Sequence, residues 1–139
     1  MRIVDGRITT QIILDKAITK AKIADEVIIS DTITIKQDGS AGTGAKGYMP
    51  FAGDIIACTF MNDSGAAFTA AAKIAVTAGD VCSSSATLAD NTSERISTGL
   101  TNNTGLAKGA VITLTTGTTT GAGATIAIIE VEAKLSAVA

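Results

Sequence analysis

Isoleucine recurs along the first part of the chain at Ile3, Ile8, Ile13, Ile18, Ile23, Ile28 and Ile33, an unbroken interval of five. A ten-residue period lies on top of it. Asp5, Asp15 and Asp25 each stand two residues after an Ile, and Thr9 and Thr19 each follow one directly. The unit reads Ile-x-Asp-x-x-Ile-Thr-x-x-x, an internal repeat. In a helix, five steps turn a side chain by about 500°, so successive Ile would point about 140° apart. In a flat strand an odd step flips the face each time. The pattern instead suits short strands separated by turns, or an extended chain winding around partners. A short helix within 14–27 is the alternative, because Leu14, Ala17, Ile18, Ala21, Ala24 and Ile28 lie near one helical face, with Asp15 near its start. Residues 1–36 are therefore read as an arm that docks or oligomerises, against the plainer reading of an N-terminal edge of the domain. Such an arm cannot bury its own Ile and needs sibling copies or another surface.

Beyond residue 48 the pattern is that of strands. Residues 54–60 form one, ended by the turn Asn62-Asp63-Ser64-Gly65. Residues 70–76 form a second, ended by Ala78-Gly79-Asp80, and Val81 and Cys82 continue a third. Loops rich in Ser, Thr, Asn and Asp fill 83–105, with one short strand near Ile96. Residues 111–115 alternate, with Val111, Thr113 and Thr115 on one face and Ile112 and Leu114 on the other. A Thr and Gly tract covers 116–123, and 125–131 forms a strong final strand. Short strands with frequent Gly turns predict an all-β fold, a jelly-roll-like β-sandwich, carrying an extended or partly helical N-terminal arm. The expected organisation is an arm over 1–36, a Gly-rich linker or loop over 37–47, and a head over 48–139.

Composition narrows the chemistry. The chain has 139 residues, enough for one modest domain, with 46% hydrophobic and 3% aromatic residues. It has no His, so a His-based nucleophile system and a His metal site are excluded. Net charge is −2, which gives no general nucleic-acid footprint. No apolar run approaches the roughly 20 residues of a bilayer span, and the N-terminus shows no secretory h-region. No nucleic-acid or membrane partner is expected. Cys58 and Cys82 match no C-x-x-C pattern and are read as two small core residues, with one disulfide as the alternative.

No constellation carries catalysis. Gly42 to Gly47 matches G-x-G-x-x-G, but Tyr48-Met49-Pro50 follows where a dinucleotide site needs a helix. Asp63 and Asp80 sit in turns that favour Asp for backbone reasons. Glu130 and Glu132 alternate on the last strand and face solvent. A glycosidase pair among the carboxylates has no supporting signature. No EF-hand spacing exists, which leaves a structural Ca²⁺ in loops as a minor alternative. No catalytic residue, cofactor or metal ligand is assigned. Tyr48, Phe51, Phe60 and Phe68, the only aromatics, cluster within 21 residues and are read as head packing or a subunit contact.

The run Ile13-Leu14-Asp15-Lys16-Ala17-Ile18-Thr19-Lys20-Ala21-Lys22-Ile23-Ala24-Asp25 resembles the Ile-Ala-Asp-Gly-Ala-Ile-Thr-x-x-Lys repeats of tailed-bacteriophage fibre and head-decoration proteins. The remainder resembles the small β-sandwich heads on such arms, through Pro50-Phe51-Ala52-Gly53-Asp54-Ile55-Ile56, Leu106-Ala107-Lys108-Gly109-Ala110-Val111-Ile112-Thr113 and the closing strand 126–132. Ala110 stands where the pattern has Asp. The resemblance implies a virion structural protein and not an enzyme. It implies a homotrimeric capsid decoration or cement protein, assembled in the bacterial host cytoplasm, whose arms bind the major capsid protein. The competing expectation is a tail-fibre or receptor-binding head that recognises a host surface glycan or protein.

Overall fold

Side chains that alternate between apolar and polar build strands with one buried face, and every helix or strand among the described residues is a β-strand. The computed structural model describes residues 26–38, 43–116 and 121–136. The strands are β1 (Glu26–Asp38), β2 (Thr43–Tyr48), β3 (Asp54–Asp63), β4 (Lys73–Val76), β5 (Gly79–Ser83), β6 (Thr92–Ile96), β7 (Val111–Thr115) and β8 (Ala124–Ser136). They form two four-stranded sheets, β1-β8-β3-β6 and β2-β7-β4-β5. The ladders β2–β7, β3–β6, β3–β8, β4–β5 and β4–β7 are antiparallel. Apart from the β4–β5 hairpin, each connection crosses from one sheet to the other. This strand order is that of a jelly roll, two interleaved Greek keys closed into a sandwich.

The core lies between the sheets. One sheet supplies Ile55, Cys58, Phe60, Ala127, Ile129 and Val131, and the other Ile74, Val76, Cys82, Ile112 and Leu114. On β7 the alternation is complete, with Ile112 and Leu114 fully buried between half-buried neighbours. Full burial of each such side chain contributes about 1.5–3 kcal/mol.

Two features of the chain's organisation differ from the sequence expectation. First, β1 runs to Asp38, across the boundary drawn at residue 36, and its inward side chains belong to the head. Ile35 is 3% exposed in the core, and Ile33 packs against that core partly buried. Second, the stretch over 37–47 is not all connector, because β2 begins at Thr43 and pairs with β7. Its Gly47 serves close approach and not flexibility. A Cβ there would sit 2.8 Å from Ile33 Cγ2 and 3.0 Å from Ile35 Cδ1. Only a residue without a side chain lets β2 lie this near the Ile of β1.

The strands run slightly longer or shorter than their sequence signals. β3 continues to Asp63, through the first two residues of the expected turn. Asn62 is consequently not an exposed turn residue but a buried hub, 1% exposed. Its Nδ2 donates to the carbonyls of Ala66 and Leu88, both at 2.9 Å. Its Oδ1 accepts from the Ser64 backbone N–H at 3.1 Å and the Ser64 hydroxyl at 2.7 Å. Four hydrogen bonds thus exhaust the amide and tie the 64–66 bend to the loop before β6.

By compactness the chain separates into Ser30–Ala133, which holds the sandwich, and a second unit of Met1–Ile29 with Lys134–Ala139. Of the second unit only residues 26–29 and 134–136 are described. The extended-or-helical alternatives for the arm over 1–25 lie outside the described residues.

Candidate interaction surface

Of the seven periodic Ile, Ile28 and Ile33 fall among the described residues, and Ile3, Ile8, Ile13, Ile18 and Ile23 do not. Both lie on β1, five residues apart, so the strand's two-residue period turns them to opposite faces. Ile33 joins the core periphery. Ile28 is 53% exposed and its neighbour Ile29 40% exposed. The structure therefore divides the ladder's last two rungs: one packs the head and the other faces outward.

The four aromatics also separate. Phe60 and Phe68 are core side chains, and Phe51 packs against the core partly buried. Tyr48 is 58% exposed at the end of β2. Their closeness in sequence does not bring them to one patch, because Tyr48 follows the outward parity of Lys46, while Phe60 lies opposite the buried Ala127.

The outer face of β1-β8-β3-β6 carries adjoining apolar side chains. Met61 lies opposite Ile126 and Thr59 opposite Ile128. Residues directly opposite share a face, so these side chains form adjoining outward rows. Ile126 and Ile128 are half-buried, and Met61 is exposed. Arg95 of β6 lies opposite Thr59 and reaches across β3 to Glu130 of β8. Its Nε donates to Oε2 at 2.7 Å and its Nη2 to Oε1 at 3.1 Å. This two-pronged pair holds the Glu130 carboxyl below its ordinary pKa, first through the hydrogen bonds and then through the guanidinium charge. The Arg95 guanidinium is raised in turn by the same partner. The pair braces three strands beside these apolar positions.

Two depressions flank this row. One of about 330 Å³ is lined by Ser30, Asp31, Thr32, Ile56, Glu130 and Val131. The other, about 250 Å³, lies toward the opposite strand edge beside Met61, Asp63, Asn91, Ser93 and Ile126. The opposite sheet presents a more polar exterior. Lys73 pairs there with Asp80 at 3.4 Å, beside Thr113 and Thr115.

Three carboxylates hold the backbone of nearby loops. Asp54 Oδ1 accepts from the Gly105 N–H at 2.8 Å, and Asp90 Oδ1 from the Gly65 N–H at 2.8 Å. Glu94 accepts from the Ser85 N–H at 2.6 Å and the Ser85 hydroxyl at 3.0 Å. Among the described residues no three His, Cys, Asp or Glu side chains gather as a metal site would require. Among them no helix is long and apolar enough to cross a membrane.

Cys58 and Cys82 are both free and buried. The two thiols neighbour each other across the core. The Cys82 thiol, with burial, raises the Cys58 thiol, while the neighbouring Cys58 favours ionisation of Cys82 against the cost of burial.

Sequence reasoning missed Ile35 and the Arg95–Glu130 brace. The alternation Thr32-Ile33-Thr34-Ile35-Lys36 was the available signal for the first. The brace has none, since its partners are 35 residues apart and meet only once β3 lies between β6 and β8.

No protein-family model matches the chain, and no curated protein matches it in sequence. Among solved structures it is similar to a chain titled "Cyanophage Pam1 capsid asymmetric unit". The identity is 13% and the TM-score 0.47, with 80% of this chain and 85% of that one covered.

Proposed function

We propose that the chain is a virion structural protein, a homotrimeric capsid decoration or cement protein. Its N-terminal arm binds the major capsid protein, and its jelly-roll head projects from the capsid surface. The observation that carries this reading is at the start of β1. The isoleucine repeat runs into β1 in sequence, and there Ile28 and Ile29 are exposed at 53% and 40%. Two adjacent β-branched side chains left open at the root of an apolar repeat are suited to cover by a sibling copy or a shell protein. The resemblance of the repeat and of the three head segments to phage decoration proteins supports the same reading.

The action is mechanical rather than catalytic. Arms lying across neighbouring shell subunits add buried apolar area at about 25 cal/mol per Å². A few hundred Å² per arm then contributes on the order of several kcal/mol before ordering costs. Three arms on one trimer engage as a linked set, which raises avidity without new contacts. The outer face of β1-β8-β3-β6, with Met61, Ile126 and Ile128, is the face offered to sibling heads. Assembly in the bacterial host cytoplasm keeps both thiols reduced.

The test is deletion of residues 1–25, which leaves all of β1 in place. Shells lacking the protein are mixed with intact or truncated protein and sedimented. Loss of shell binding, with the thermal transition of the head retained, supports the proposal. Equal binding by the truncated protein refutes the arm's role. A monomer in analytical ultracentrifugation, or attachment to host cells with none to shells, overturns the cement reading in favour of a receptor-binding head.

A further inference from the structure

The two cysteines lie on different sheets, 24 positions apart in sequence. The ladders decide where they point. Cys58 on β3 lies opposite Ile129 of β8, and Cys82 on β5 lies opposite Ile74 of β4. Ile129 and Ile74 are both fully buried. Directly opposite residues share a face, so both thiols point into the same core from its two walls. They are free, and they belong to one core cluster. We propose that Cys58 and Cys82 form an oxidisable site, which a small peroxide converts into a disulfide that staples β3 to β5 across the sandwich.

The geometry allows closure on one condition. A disulfide needs its Cα atoms about 4.4–6.8 Å apart, less than the roughly 10 Å between packed sheets. One wall must move inward, and β5 is the wall that can. It is five residues long and lies at the edge of its sheet, and its outer side is tied to Thr101 and Asn102 at the carbonyls of Asp80 and Val81, short of Cys82. Its register against β4 shifts between Ile74 and Ala75, immediately beside the Cys82 pairing. A bulge bends and loosens the ladder where it falls. Inter-sheet disulfides occupy the core in other β-sandwiches, so the architecture accommodates the bond.

The order of events follows from exposure. Cys82 is 9% exposed and Cys58 fully buried, so the oxidant meets Cys82. Its thiolate, favoured by the neighbouring Cys58 thiol, attacks one oxygen of hydrogen peroxide. The O–O bond breaks, the departing hydroxide takes a proton to become water, and Cys82 becomes a sulfenic acid. The Cys58 sulfur then attacks the Cys82 sulfur. The S–O bond breaks, and the departing hydroxide takes the Cys58 proton to become a second water. Two thiols are oxidised by two electrons and one peroxide is reduced to two waters. A thiol reductant reverses the product by exchange.

The full chain is exposed to hydrogen peroxide, quenched, unfolded, alkylated and weighed. The expected product takes up no alkylating agent and is lighter than the untreated protein by about 2 Da, two hydrogens. Peptide mapping then joins the Cys58 peptide to the Cys82 peptide within one chain. Closing a loop of about 25 residues raises Tm on the order of 10 °C, and dithiothreitol reverses the rise. Cys58→Ala removes the resolving thiol, so the same treatment leaves its Tm without that rise. The proposal is overturned if both thiols remain alkylatable, if the cysteines proceed to sulfinic acid without a cross-link, if the linkage joins separate chains, or if Cys58→Ala shows an equal rise in Tm. None of these readouts depends on shell binding.

Discussion

Replacing Gly47 with Ala tests whether β1 is part of the head. The added Cβ would sit 2.8 Å from Ile33 Cγ2 and 3.0 Å from both Cδ1 and Cγ1 of Ile35. Ile35 is 3% exposed and held by the core, so it has little room to retreat. Overpacking of this kind costs about 1–3 kcal/mol. The loss of glycine's freedom in the unfolded chain returns roughly 0.4–1 kcal/mol. The net destabilisation is therefore about 1–2 kcal/mol, a fall in Tm of roughly 4–8 °C at about 4 °C per kcal/mol. Ile33→Ala removes the nearest obstructing atom, though it also loses half-buried apolar surface worth on the order of 1–2 kcal/mol. Urea unfolding of the two single variants and the double variant gives the coupling. The double variant should be more stable than the sum of the singles by about 1 kcal/mol. The relief is partial, because the Ile35 contacts remain. Additivity within about 0.5 kcal/mol, or a Gly47→Ala variant more stable than the parent, would refute the stacking of β1 over β2 and return residues 26–38 to the arm.

Three further outcomes follow from the packing. Asn62→Ala removes its bonds to the Ala66 and Leu88 carbonyls and those from the Ser64 N–H and hydroxyl, although the Ser64 hydroxyl still reaches the Ala66 carbonyl at 2.9 Å, and should cost about 2–4 kcal/mol in urea unfolding; a cost under about 0.5 kcal/mol would mean the hub is replaceable. The fully buried Thr125 hydroxyl has no hydrogen-bond partner among the described residues, so the near-isosteric Thr125→Val should be neutral or stabilising by up to about 1 kcal/mol, and a clear loss of stability contradicts this. Arg95 depresses the Glu130 carboxyl in the fold, so the pair stabilises at neutral pH and the contribution is lost as pH falls through the depressed value, below the ordinary carboxylate range. The difference in Tm between parent and Glu130→Gln should therefore shrink toward zero in acid, and a difference that grows there would reverse the sign of the argument.

The strands that were legible in the sequence are those in which alternation runs uninterrupted between turn residues. β7 is the clearest, with Ile112 and Leu114 inward as the pattern implies. β1 was hidden by a stronger signal. The five-residue Ile period draws attention to Ile28 and Ile33, whereas burial follows the two-residue period that pairs Ile33 with Ile35. β2 was hidden by composition. Thr43-Gly44-Ala45-Lys46-Gly47 has the residues of a linker, yet Gly47 is demanded by the Ile of the facing sheet, which no local window contains. Asn62 has the identity of a turn residue and the environment of a core residue, because one of the carbonyls it satisfies, that of Leu88, lies 26 positions away in sequence. The outer face with its Arg95–Glu130 brace depends on strand order, and strand order is a property of the whole chain.

The nesting of the strands has a consequence for biosynthesis. β8 sits between β1 and β3, and β7 sits between β2 and β4. The four early strands thus emerge from the ribosome without the neighbours that separate them, and both sheets close only when β7 and β8 arrive. Until then the nascent chain presents four unpaired edges, each a template for mispairing with another nascent chain. Such long-range closure is slow, so yield during expression should depend on translation speed and chaperone supply more than on the stability of the finished head.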